Sequence, residues 1–155
     1  ISKGHNGLEK ALDMIVDRVE KKVDNNHNII ILSDRKTSKK YAPIPILLVC
    51  SYVHHSLIKR KKRSKFGIVI ESAEPREPHH FSMLFGYGAS AINPYMVNEI
   101  IEYHHKLGFL NEQKLDKSID NFNKAIAKGI LKVMNKIGIS TLHCTGGHKF
   151  LRHWD

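Results

Sequence analysis

Asn28-Ile29-Ile30-Ile31-Leu32-Ser33-Asp34-Arg35 decides the fold class. Three β-branched residues and a leucine follow one another without a polar interruption, and Ser33-Asp34-Arg35 ends the run. A short, wholly apolar segment of this kind is expected of a strand in a parallel sheet covered on both faces. Upstream, Gly7 to Val23 places Leu8, Leu12, Ile15, Val16, Val19 and Val23 at intervals of three and four, an amphipathic helix. Asp24-Asn25-Asn26-His27-Asn28 separates the two elements. Downstream, Pro43 and Pro45 suit a helix start, and the apolar stretch to Ile58 predicts a buried helix.

The pattern then repeats. Phe66-Gly67-Ile68-Val69-Ile70 predicts a second strand, ending at Glu71. A short helix from Glu77 to Phe85 is stopped by Gly86-Tyr87-Gly88, and Ala89-Ser90-Ala91-Ile92-Asn93 predicts a third strand. Pro94 opens a helix to about Leu107, closed by Gly108. Lys114 to Lys136 is helical with Gly129 as a weak spot, and Ile139-Ser140-Thr141-Leu142 predicts a fourth strand. Strands alternating with helices give βαβ units. The fold class is therefore α/β: a short, mainly parallel sheet with flanking helices, an incomplete barrel-like βα arrangement. Four strands are too few to close an eight-stranded barrel. In such sheets functional groups gather at the carboxyl ends of the strands, which here are Asp34 and Arg35, Glu71, and Asn93.

Composition narrows the function classes. The 155 residues are 41% hydrophobic and 26% charged, with two cysteines, a balance that excludes intrinsic disorder and a disulfide scaffold. No apolar stretch is long enough for a membrane span, and Ile1-Ser2-Lys3-Gly4-His5-Asn6 is no signal peptide, so the chain reads as a soluble fragment. The net charge is +10. Its basic residues crowd into Arg35-Lys36-Thr37-Ser38-Lys39-Lys40 and Lys59-Arg60-Lys61-Lys62-Arg63-Ser64-Lys65, both placed where loops belong. No aromatic residues interleave with them to stack bases, so solvated loops are expected, not a nucleic-acid face.

Candidate chemistry is thin. Eleven histidines include the doublets His54-His55, His79-His80 and His104-His105. Adjacent histidines on a helix point about 100° apart and cannot chelate one ion well. Gly86-Tyr87-Gly88-Ala89 looks like half a phosphate-binding loop, but it lacks the Walker lysine and leads into a strand; a helix-ending turn is expected. Cys50 sits in an apolar run and is expected to be a small core residue.

Longer strings say more. Asn28-Ile-Ile-Ile-Leu-Ser-Asp-Arg35, Ala42-Pro-Ile-Pro45, Val53-His-His55, Glu71 with Arg76-Glu77-x-His79-His80-Phe81, Gly86-Tyr-Gly-Ala89 with Ala91-Ile-Asn-Pro-Tyr95, Lys128-Gly129, Leu131-Lys-Val-Met134, Lys136 and Gly138-Ile-Ser-Thr-Leu142 occur in one order and spacing over residues 7–142. Together they resemble the central domain of the glutamate synthase large chain. Departures are Ser56 where a third histidine is usual, Ser72-Ala73 where glycine is, and Asn135 for a usual serine.

The resemblance breaks at the tail. The family continues with Ser-Tyr-Arg-Gly-Ala-Gln-Ile-Phe-Glu-Ala-x-Gly, whereas this chain ends Cys144-Thr145-Gly146-Gly147-His148-Lys149-Phe150-Leu151-Arg152-His153-Trp154-Asp155. Back-translating Gly147 onward as GGG CAC AAA TTT TTG AGG CAT TGG GAN and reading from the third base gives Ala-Gln-Ile-Phe-Glu-Ala-Leu-Gly. A frame slip between about His143 and Gly147 is therefore expected, with residues 1–143 a partial central domain and 144–155 a non-native, exposed and poorly packed tail.

The resemblance implies a fragment of an enzyme of ammonia assimilation and glutamate biosynthesis. Glutamate synthases are oxidoreductases that convert glutamine and 2-oxoglutarate to two glutamates with electrons from a reduced nicotinamide or ferredoxin. It implies a parent with FMN and a three-iron (3Fe-4S) cluster, neither bound by this segment. The implied partners are the glutaminase and FMN-binding domains of the same chain and a possible small electron-transfer subunit, in an intracellular setting, cytoplasm or plastid. The matched segment is the central scaffold, inactive alone, with no catalytic, cofactor or metal residue. Asp34, Arg35, Glu71, Arg76, Glu77, His79, His80 and Asn93 are expected on one side of the sheet or just beyond it. They would form a hydrogen-bonded network that fixes loop geometry, or line a contact with neighbouring domains or the ammonia path. Two rivals remain: a small basic nucleic-acid-binding α/β domain, marked by steep salt dependence of oligonucleotide binding, and a metal-dependent enzyme using the histidine doublets.

Overall fold

In the computed structural model, which describes residues 4–110 and 114–141, the apolar spacing of the first segment becomes helix α1, Gly4–Asp24. Leu12, Val16, Val19 and Val23 form its buried stripe. The chain reverses through Asn26, the left-handed residue of the turn, into strand β1, Ile29–Ser33. Helix α2, Ile46–Lys59, starts behind Pro45, whose fixed φ suits the entry and whose carbonyl accepts the Val49 N–H. Strand β2, Gly67–Glu71, helix α3, Pro78–Gly86, and strand β3, Ala91–Asn93, follow. Helices α4, Tyr95–Lys106, and α5, Leu115–Lys136, complete the described chain.

The strands form one sheet in the order β1-β2-β3, and both pairs are parallel. The register runs from Ile29 opposite Gly67 to Ser33 opposite Glu71, and Glu71 in turn faces Asn93. All three carboxyl ends therefore meet at one rim. On one face Ile30, Leu32, Ile68 and Ile70 pack with the α1 stripe and with Val49, Cys50, Val53 and Leu57 of α2. Helix α5 lies against α3, with the Phe81 and Phe122 rings 6.3 Å apart. Its supposed weak spot has a packing reason. A Cβ on Gly129 would stand 2.4 Å from both Cβ and Cγ of Pro78, so only glycine lets α5 approach α3 this closely.

Two expectations are corrected. The β1 run is not covered on both faces: Ile30 and Leu32 are buried, but Ile29 and Ile31 are 65% and 62% exposed. The physical reason is that α1 and α2 lie on the same face of the sheet. The fourth strand also fails over residues 139–141, which carry no strand structure. Gly138 takes φ +70°, and the Ile139 N–H turns back to the Met134 carbonyl at 2.9 Å, closing α5 where a ladder would have begun. Leu142, and the tail expected to be foreign, lie outside the described residues.

Candidate functional site

The rim where the strands end is built from the segments that follow them: residues 34–45 after β1, residues 72–77 after β2, and Pro94 after β3. After β1, the Asp34 N–H continues the ladder by donating to the Glu71 carbonyl at 3.2 Å, and the Ser72 N–H does the same to the Asn93 carbonyl at 3.1 Å. These bonds carry parallel pairing one residue past each strand and hold the side chains that follow.

Two carboxylates organise the loops. Glu71 accepts the Ser33 hydroxyl at 2.6 Å on one oxygen and Arg35 Nε at 2.8 Å on the other. Arg35 also reaches Glu99 of α4 through Nη1 at 3.2 Å, and its guanidinium lies 4.0 Å over the Tyr95 ring. Asp34, half-buried, accepts the hydroxyl of fully buried Ser72 at 2.6 Å and the Ala73 N–H at 3.1 Å. The Ser72 hydroxyl accepts the Glu74 N–H at 3.1 Å, and the Glu74 carboxylate accepts the Ile46 N–H at 3.1 Å, capping α2.

The electrostatics match the bonding. The Ser33 hydroxyl, and then the Arg35 guanidinium, hold the Glu71 carboxyl below its usual range. The Glu71 partnership raises the Arg35 pKa. Burial, then the hydrogen bond to Asp34, raises that of the Tyr95 hydroxyl. A carboxylate engaged by a hydroxyl and a guanidinium is a poor proton acceptor. Both Glu71 oxygens are thus held by donors, Ser33 at the end of β1 and Arg35 in the loop after it.

The sequence-predicted residues divide accordingly. Asp34, Arg35 and Glu71 share this network, and Asn93 joins it through its main-chain carbonyl, its side chain being exposed. Arg76, Glu77 and His80 form a separate local cap at the start of α3. His80 Nδ1 accepts the Arg76 N–H at 3.2 Å and the Glu77 N–H at 3.4 Å, and Glu77 is the N-cap residue of a reciprocal capping box. His79 is exposed on the first turn of α3. Sequence reasoning missed Ser33, Ser72, Glu74, Tyr95 and Glu99. The signal available was position: Ser33 and Ser72 flank strand ends, and Tyr95 follows Asn93-Pro94.

The other candidate groups settle into packing roles. His54 is buried, with Nδ1 accepting Arg63 Nε at 3.0 Å, while Arg63 Nη1 and Nη2 donate to the Phe66 and Gly88 carbonyls at 2.7 and 2.6 Å. Desolvation by burial lowers the Arg63 pKa. Gly88, at φ +94°, comes so close that a Cβ there would stand 2.0 Å from His54 Nδ1. In the Gly86-Tyr87-Gly88-Ala89 turn, the N–H groups of Tyr87, Gly88 and Ala89 donate to the Met83, Phe85 and Leu84 carbonyls, so no phosphate cradle is presented. The Cys50 thiol donates to the Tyr87 carbonyl, and burial pushes its pKa up to about 12, far from a nucleophile's range. Among the described residues no group of three or more His, Cys, Asp or Glu side chains could hold a metal ion.

The basic run after α2 is tied inward. Arg60 pairs with Asp17 at 3.0 Å and with Glu20, and Lys62 pairs with Glu20 at 2.8 Å and Asp24 at 2.7 Å, an acidic ladder along α1. Together with Arg63, this removes three cations of the run from any nucleic-acid face. No helix among the described residues is long and apolar enough to cross a membrane.

Comparison with known proteins completes the picture. The glutamate synthase central domain family matches residues 1–151. The large chain of NADPH glutamate synthase from Bacillus subtilis is 39% identical over 140 residues, covering 90% of this chain and 9% of its own length. NADH glutamate synthase from Saccharomyces cerevisiae is 36% identical over 148 residues, 91% of this chain and 7% of its own. Ferredoxin-dependent glutamate synthase 2 from Synechocystis is 35% identical over 152 residues, 90% and 10%. The chain thus spans a tenth or less of these relatives, and with that match and the parallel βα architecture it belongs to the glutamate synthase central domain family.

Proposed function

We propose that this segment works as a rigid connector inside a glutamate synthase large chain. It holds a glutaminase domain and an FMN-binding domain at a fixed separation, and the strand-end rim faces them or walls the path of ammonia. The parent reaction is the conversion of glutamine and 2-oxoglutarate, with reductant, to two glutamates. FMN and the three-iron cluster belong to other parts of that parent, which has a small electron-transfer subunit as a further possible partner. The observation that supports the connector reading is the engagement of Asp34 and Glu71 by residues of neighbouring loops. Charged groups bonded in this way fix geometry without performing chemistry. Arg35, Glu71 and Asn93 are the residues placed to meet a neighbour, being at the rim and at least partly exposed.

The test has two arms. The purified 155-residue chain should form no glutamate and retain no flavin; measurable glutamate formation by it would end the reading. In an intact large chain, Arg35→Met should leave glutamine hydrolysis in place and raise the ammonia released per glutamate formed. Unchanged coupling would remove the rim from the ammonia path.

A further inference from the structure

We propose that the free edge of β1 is the seat of another parallel strand, supplied by the stretch of large chain that precedes α1. The inference rests on the backbone and on family membership, not on the connector reading.

The pairing pattern shows which groups are available. The Asn28 carbonyl accepts the Gly67 N–H at 2.9 Å, and the Asp34 N–H donates to the Glu71 carbonyl. Backbone polar groups alternate in direction along a strand. Even-numbered residues from 28 to 34 therefore turn theirs toward β2, and Ile29, Ile31 and Ser33 turn theirs away. Beyond that edge no strand follows among the described residues. The edge also lacks the usual protections: Ile29–Ser33 contains no proline, lysine or bulge, and two of its side chains are exposed isoleucines.

Handedness says which partner belongs there. The crossover from β1 through α2 to β2 advances the sheet in one direction with its helix on the core face. Helix α1 packs beside α2 on that same face and enters β1 through a short turn, as the helix of a βαβ unit does. Parallel crossovers are right-handed almost without exception. The same hand applied to the unit that ends in β1 places its first strand on the side away from β2, which is the free edge.

Space and charge agree. A cavity of about 730 Å³ lies between Ile15 and Arg18 of α1, Ile31, Leu32 and Ser33 of β1, and Tyr41. It borders the carboxyl half of β1, between α1 and the segment from Asp34 to Val49. A second copy of this chain would bring +10 against +10, which disfavours self-pairing. The relatives are roughly ten times longer and have ample chain to supply the strand.

Residue-resolved hydrogen exchange decides the matter on three proteins: the 155-residue chain, the same chain extended at its amino end by about ten parent residues, enough for one strand and a short loop ahead of α1, and the intact large chain. In the short chain Ile30 and Leu32 should exchange slowly, and Ile29, Ile31 and Ser33 fast. In the extended and intact chains Ile31 and Ser33 should slow by about 100-fold, as ladder amides do. Fast exchange in the intact chain would overturn the proposal. So would protection in the intact chain but not in the extended one, since another domain would then cover the edge. Protection in the short chain, whether sedimentation finds a monomer or a dimer, would overturn it as well.

Discussion

Gly88→Ala probes the tightest glycine contact among the described residues. The new Cβ would stand 2.0 Å from His54 Nδ1 and 2.6 Å from Cε1. Restoring van der Waals contact requires the ring to retreat by roughly 1.4 Å. His54 is buried, and Nδ1 accepts Arg63 Nε at 3.0 Å, so that retreat breaks the hydrogen bond. A buried donor left without its acceptor costs about 1–3 kcal/mol. A non-glycine residue at positive φ adds about 1–2 kcal/mol. The expected loss of about 3 kcal/mol is a large share of the about 5–15 kcal/mol that holds a domain of this size together. Urea unfolding followed by circular dichroism would measure it. The cycle with His54→Ala separates the two contributions. On that background the ring is gone, and Gly88→Ala should cost only its backbone share, about 1–2 kcal/mol. Equal cost on both backgrounds would refute the steric argument.

Gly129→Ala should destabilise the chain, although the same change in an open helix gains about 1 kcal/mol; thermal unfolding gives the sign, and a gain would mean that α5 and Pro78 can separate freely. Glu71 and Glu20 are both held below the ordinary carboxyl value of 4.5, the first chiefly by Ser33 and Arg35, the second by Lys62 and Arg60. Each stabilises the fold above pH 4.5, and that stability is lost as pH falls through the lower folded-state value, because the unfolded chain then binds more protons. Melting temperatures at pH 7, 4.5 and 3 should therefore drop on the acid side, and Glu71→Gln with Glu20→Gln should flatten the drop. Sequencing the gene across codons 140–155 should show Ala-Gln-Ile-Phe-Glu-Ala-Leu-Gly in a neighbouring frame; its absence would leave the tail from Cys144 as native sequence.

The elements were legible because their signals are local. Apolar spacing located α1, the uninterrupted run located β1, and Pro43, Pro45 and Pro94 located helix starts. What escaped depends on distant partners. An apolar run does not tell which of its faces a helix will cover, so the exposure of Ile29 and Ile31 was invisible. The Ile139-Ser140-Thr141 segment has strand composition, but it begins in the turn that closes α5, and composition carries no record of that. Gly129 read as a weakness because helix propensity ignores what lies opposite. At the rim, Asp34, Arg35 and Glu71 were found through their place at strand ends. Ser72, Tyr95 and Glu99 were missed because residues of unremarkable type acquire a role only when a loop folds back. The basic run after α2 is expected as solvated loop, and its partners Asp17, Glu20 and Asp24 lie about forty residues upstream and follow only from knowing that α1 and α2 are neighbours.

Strand order has a consequence for how the chain emerges from the ribosome. Each strand pairs with the strand made just before it. Partners across β1 and β2 are 38 residues apart, and the first contact from β2 to the β3 segment spans 22. Loops this short close at modest entropic expense, and the sheet can be laid down in step with elongation at about 5–20 residues per second. All its pairings are available once Asn93 has left the exit tunnel, before any of α5 has emerged from it. A message interrupted downstream of that point, by a stop codon or a slipped frame, still encodes all three described strands.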